Sequence, residues 1–129
     1  MSKFMTELEA RLKESSDKVW ILDEDLIYIS DLAGFINVPE GFETDFASVP
    51  RLPIAYTAFG DRAHREAVLH DYLYRKDSIP CVTYMQANRV FLEAMKLRGK
   101  GVLVRFPMFW AVCLGGFLSF HKKSVADKL

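Results

Sequence analysis

Apolar and polar positions along the chain fall into two regimes. In the first third they alternate. In "KVWILDEDLIYIS", Trp20 and Leu22 alternate with Val19 and Ile21. Leu26, Tyr28 and Ser30 then alternate with Ile27 and Ile29. A period of two places successive side chains on opposite faces of a strand. The acidic "DED" between the runs reads as a turn, so a β-hairpin is expected here. "GFINVPEGFETDFAS" continues the strand character, punctuated by Pro39 and Gly41. Residues 17–50 therefore predict a small antiparallel sheet of about three strands. Ahead of it, Leu8 and Leu12 lie four apart among charges, which predicts a short peripheral amphipathic helix within residues 1–16.

After a loop rich in proline, "VPRLPIAYTAFGD", the period lengthens. Asp61 reads as an N-cap, and "RAHREAVLHDYLYRK" follows without a breaker. On this helix Ala63, Ala67, His70 and Tyr74 share one stripe. His64, Val68, Asp71 and Arg75 share the next. His70 and Asp71 thus point about 100° apart and must serve different partners. "DSIP" ends the helix. Thr83 with Gln86 forms a capping box, so a second helix is expected from Tyr84 to about Arg98, with Gly99 as its stop. Tyr84, Asn88, Phe91 and Met95 line one face of it. If the two helices form an αα-hairpin, Asn88 comes within reach of His70.

The segment from Phe106 to Phe120 is strongly apolar and predicts a third helix. It is shorter than the roughly 20 residues a transmembrane helix needs, and Pro107 and a glycine pair interrupt it. A buried helix or a partner-binding face fits better, with a membrane-surface contact as the alternative, edged by Lys122 and Lys123. The fold expected from the whole pattern is α+β: one domain over residues 1–129, a small N-terminal antiparallel sheet followed by a three-helix core at 61–120.

Composition adds bounds. The 129 residues suit one core, and half are hydrophobic. Lys+Arg balance Asp+Glu at 17 each, so no global basic field points to nucleic acid, and near-neutrality leaves self-association open. Cys81 and Cys113 sit in apolar surroundings with no CxxC pair, which reads as two buried thiols in a reducing cytoplasm. The N-terminus lacks an apolar run of signal-peptide length, so Sec export is not expected.

The candidate chemistry centres on "LHDYLY". Asp71 is a hard oxygen ligand suited to Ca²⁺ or Mg²⁺. His70 on the adjacent stripe can deprotonate a water held near such a metal, and Asn88 can fix its tautomer. The competing reading is a buried His and Asp that satisfy neighbouring amides and helix ends. "GFETDFASVPR" is the second candidate. Asp45 can supply another carboxylate to the metal, Ser48 can bond turn amides, and Arg51 can pair with either aspartate. His64 is expected to be partly exposed, and His121 to be solvated surface. No phosphate loop, dinucleotide fingerprint, zinc quartet or nucleophile elbow is present.

"GFETDFASVPR", "HREAVLHDYLYR" and "QANRVFLEAMKLRG" together resemble a phage and prophage family, domain of unknown function 1353, over roughly residues 20–118. The resemblance implies a phage-derived gene, acting in the cytoplasm of the infected bacterium or on the virion, and supplies no mechanism. That family usually carries Asp where this chain has Asn88, so the hydrogen bond to a histidine is kept and the charge is lost. A more local resemblance is to the catalytic helix of phospholipases A2. It implies His70 as base, Asp71 as Ca²⁺ ligand, Tyr74 as network support and Asn88 as orienter. The glycine-rich calcium loop of those enzymes is absent, and "GFETDFASVPR" would have to replace it. Two leading functional readings follow. One is a metal-assisted hydrolase of an ester or phospholipid. The other is a non-enzymatic phage protein that binds a host or virion partner through the apolar C-terminal helix. A virion structural component is a third, resting on the phage context alone.

Overall fold

The computed structural model describes residues 2–45, 64–99, 101–118 and 120–129. Its architecture is α+β, as the periodicities predict, but the β part is two sheets. Strands β1 (Lys3–Phe4), β4 (Leu26–Ser30) and β5 (Gly34–Val38) form one antiparallel sheet in the order β1-β4-β5. Strands β2 (Ala10–Leu12), β3 (Trp20–Leu22) and β6 (Glu43–Thr44) form the other, in the order β2-β3-β6. The alternation read from the sequence holds in β4 and β5. Leu26, Tyr28 and Ser30 are buried, and Tyr28 stands opposite Ile36 and Leu26 opposite Val38. Gly34 opens β5 with φ 79°, left-handed backbone that glycine adopts without a Cβ clash. The Ser30 hydroxyl accepts from the amides of Leu32 and Ala33 to close the turn before it.

Two expectations are corrected. The runs on either side of "DED" are strands, but they do not pair with each other. Each already has both edges occupied, β3 by β2 and β6, and β4 by β1 and β5. The acidic segment carries the chain from one sheet to the other, and the hairpin is β4–β5 instead. Residues 4–14 are not helical. They contribute β1 and β2, the strands that pair with the free edges of β4 and β3. The Met5 amide donates to the Ile27 carbonyl at 2.8 Å, and the Lys13 amide to Val19 at 2.7 Å. Buried or half-buried strand edges need such partners, and that demand overrides an i,i+4 leucine pair in a short charged segment.

Three helices follow: α1 (His64–Leu73), α2 (Tyr84–Leu97) and α3 (Val102–Gly115), the last running into a 3-10 turn, Gly116–Leu118. Asp61 lies outside the described residues. The capping box of α2 is formed: Thr83 Oγ1 accepts from the Gln86 amide, and Gln86 Oε1 accepts from the Thr83 amide. Gly99 follows it at φ 82°. Every residue from Glu66 to Arg75 is buried. Helix α1 is therefore the central element, covered all round, which explains why its sequence shows no sharp apolar stripe. Sheet residues Leu22, Leu26, Tyr28 and Ile36 pack with Val68, Leu69 and Leu73 of α1 and Val90 of α2 in the main core. A second cluster joins Ala67, Phe91, Met95, Met108 and Val112 and holds α3 against the other two helices.

Candidate functional site

Because α1 is enclosed, its polar residues must find partners inside the protein. His70 has no exposed surface. Its Nε2 lies 2.7 Å from Asn88 Oδ1 on α2, the contact the two helical registers predict. The Tyr74 hydroxyl, one turn along α1, donates to the same oxygen at 2.6 Å. Asn88 Nδ2 faces Cys113 Sγ on α3 at 3.6 Å, which sets the amide with its oxygen toward the two donors. His70 therefore carries its proton on Nε2. Its ring packs on Tyr74 and Phe91, with centroids 4.1 and 4.8 Å away. Burial pulls the His70 pKa down from 6.5 to about 4, against the opposing pull of the Asn88 bond. Burial also pushes Tyr74 and Cys113 upward, so both stay protonated at neutral pH. The cluster is neutral and joins all three helices.

Asp71 faces the other way, as its position on the adjacent stripe requires. Its Oδ2 accepts from Thr44 Oγ1 at 2.5 Å and lies 3.7 Å from Arg75 Nη2. Arg75 is itself buried. It donates to the Glu43 carbonyl at 3.0 Å and to the Ser124 carbonyl at 3.2 Å, and stacks over Phe42. The Glu43 carboxylate accepts from Lys13 and from the Leu129 amide. The Lys13 hydrogen bond leads in holding its pKa below the usual carboxylate range. This second network ties α1 to β6 and to the C-terminal segment. Arg75, on the Asp71 stripe, is a site residue that no sequence motif singles out. Its signal was the i,i+4 spacing of opposite charges.

The remaining predicted positions disperse. Asp45 lines a shallow open cleft with Ser16, Lys18, Lys123, Asp127 and Lys128, and neither His70 nor Asp71 borders that cleft. Ser48 and Arg51 lie outside the described residues, as does the side chain of His64. Among the described residues no group of three His, Cys, Asp or Glu side chains is placed to hold a metal ion. The cysteine expectation is corrected for Cys81, which is exposed, while Cys113 is half-buried. His121 is half-buried rather than fully solvated. It stacks on Phe120 at 3.8 Å with φ 56°, and its Nε2 is buried.

Helix α3 is apolar on both its faces. Met108 and Val112 point inward and are buried. Opposite them, Leu103 (86% exposed), Phe106, Trp110 (61%), Leu114 (76%) and Phe117 project outward. At 3.6 residues per turn these five fall within one stripe. Pro107, on the same side, adds to it. Helix α3 is thus buried on one side and open on the other. No described helix is long and apolar enough to cross a membrane.

Residues 20–112 match the family described as "Protein of unknown function (DUF1353)". No curated protein and no solved structure matches this chain.

Proposed function

The chain belongs to the DUF1353 family, and from that premise, which fixes no activity, we propose that it is a non-catalytic binding protein whose recognition surface is the outward face of α3. One observation carries the reading: a continuous stripe of large apolar side chains, Leu103, Trp110 and Leu114 foremost, lies open to solvent on a helix that packs inward through Met108 and Val112. Soluble monomers seldom leave a contiguous apolar patch of this kind unless something docks on it. In the phage or prophage setting that the sequence resemblance implies, the protein acts as an accessory factor that docks on a host or virion component.

The metal-assisted hydrolase is the weaker reading. A general base must reach substrate and then carry its proton, and His70 is enclosed where burial disfavours the imidazolium. Asp71 is engaged by Thr44 and Arg75, and Asp45 faces a different cleft. These facts favour a structural role for the His-Asp pair.

The test uses Trp110 emission in a Trp20→Phe background, with bacterial membrane and soluble fractions added separately. Docking moves Trp110 out of water, so a blue shift is expected with one fraction. A Leu103→Ser/Leu114→Ser variant should lose it. No shift with either fraction defeats the reading. A Ca²⁺- or Mg²⁺-dependent rise in the unfolding midpoint, abolished by Asp71→Asn, would restore the hydrolase.

A further inference from the structure

Charge around the α3 face narrows what can cover it. Between Glu93 and Asp127 the chain carries no carboxylate side chain, yet it carries Lys96, Arg98, Lys100, Arg105, Lys122 and Lys123. Lys96 and Arg98 are exposed where α2 ends and the chain turns into α3, with Arg98 3.9 Å from the Glu66 carboxylate on its inner side. Lys122 and Lys123 are exposed beyond the 3-10 turn at the other end. The apolar stripe is thus bracketed by cations at both ends. Resting on the proposed role of this face, we propose that its occupant is the surface of an anionic lipid bilayer, with α3 lying in the plane of the interface.

The dimensions fit lying on a bilayer and not crossing one. Leu103 to Leu114 spans roughly 17 Å at 1.5 Å per residue, about half the hydrocarbon thickness. The side chains are of the right kind. Trp110 is the aromatic type that settles at the headgroup level, and Phe106, Phe117, Leu103 and Leu114 supply the apolar contact below it. Flanking Lys and Arg then meet lipid phosphates.

A second copy of the chain fits less well. An isologous dimer through this face brings α3 against α3. Packed antiparallel, the Lys96–Arg98 end of one copy meets the Lys122–Lys123 end of the other. Packed parallel, each end meets its own kind. Either way Lys96 of one copy meets lysine of the other across an apolar contact, and the carboxylate beside these ends, Glu66, is buried and already lies 3.9 Å from Arg98. An anionic surface satisfies both ends at once.

Flotation of the full chain with phosphatidylglycerol-rich vesicles, against pure phosphatidylcholine vesicles, tests this. The wild type is expected to float with the anionic vesicles and to release as salt is raised, and the Trp20→Phe variant to show the Trp110 blue shift on them. Trp110→Ser/Leu114→Ser should abolish flotation while leaving circular dichroism and the unfolding midpoint essentially unchanged, since both side chains are exposed. Lys122→Glu/Lys123→Glu should weaken binding roughly tenfold or more. Equal binding to both vesicle types, or none to either, overturns the proposal. If vesicles fail but Trp110 shifts with the soluble fraction, or light scattering reports a dimer that Trp110→Ser/Leu114→Ser dissociates, the bilayer is ruled out and the docking face survives. Failure of every arm removes both.

Discussion

The phenol of Tyr74 occupies the space that a side chain on residue 116 would need. A Cβ built on Gly116 would overlap the Tyr74 hydroxyl and lie 3.0 and 3.1 Å from Cε2 and Cζ of the ring. Gly116 has an ordinary helical backbone, φ −71°, so glycine is required here for close approach and not for conformational freedom. The contact seats the end of α3 on the same tyrosine that hydrogen-bonds Asn88.

Gly116→Ala should therefore destabilise the protein by about 1–3 kcal/mol, the usual penalty for overfilling a packed site. Thermal unfolding would show a midpoint lower by several degrees. Tyr74→Phe removes the closest overlap, so the double variant should lose less than the sum of the two singles. Strict additivity would mean the two residues do not touch.

Asn88 accepts two hydrogen bonds on one oxygen, so truncating it strands two buried donors. Asn88→Ala should lower the unfolding free energy by about 2–6 kcal/mol, from roughly 1–3 for each unpaired group. Denaturant titration measures this. Asn88→Asp keeps both acceptor contacts and places a carboxylate 2.7 Å from His70 Nε2. The His70 pKa should then rise, visible in the pH dependence of its imidazole resonances. An unmoved pKa would mean that the bond to residue 88 is not made in solution.

Stability should depend on His70 protonation with a definite sign. The folded pKa is about 4 and the ordinary value 6.5, so between these pH values the unfolded chain binds the extra proton. The contribution is complete above pH 6.5, declines as pH falls, and is exhausted below about pH 4. It amounts to about 3 kcal/mol. Glu43, whose pKa is lowered, adds its own loss as pH falls below about 4.5. In His70→Gln the slope between pH 6.5 and 4 should flatten. A wild-type unfolding free energy that is level across that window would contradict the enclosed, neutral imidazole.

Arg75 should not be replaceable by lysine. Its planar fork reaches Glu43 and Ser124 carbonyls while lying beside Asp71, and an ammonium group cannot span the same set. Arg75→Lys should cost about 1–3 kcal/mol. Arg75→Met should cost about 3–5 kcal/mol, because it removes the buried guanidinium beside Asp71 and the donors to the Glu43 and Ser124 carbonyls. Hydrogen exchange should report lost protection at the amides of Lys76 and Val125, which the neighbouring tail contacts hold. Normal protection in Arg75→Met would show that the tail is held without it.

The two sides of α3 should respond oppositely to serine. Trp110→Ser should change stability by no more than about 0.5 kcal/mol, and Val112→Ser should cost well over 1 kcal/mol. Equal effects would mean that the outward stripe is covered within the chain.

Much of the helical half could be read in the sequence because its signals are local. The Thr83–Gln86 box and Gly99 bound α2 through contacts within one turn. The 100° step separates His70 from Asp71, and the α1–α2 registers bring Asn88 to His70, so one contact of the cluster followed from spacing alone. Strand positions 20–30 were equally local. Pairing was not. Whether Leu22 faces a β4 residue or Phe42 depends on which edges are free, and β1 and β2 were hidden in a segment whose leucine spacing favoured a helix. Tertiary structure alone decided that α1 is covered all round, which encloses His70 beside Asn88 and Asp71 beside Arg75. It also decided which half of the uniformly apolar α3 stays open. Sequence sets a residue's type and its direction along its own helix. Burial is set by what the rest of the chain brings against that direction, and no local pattern carries that information.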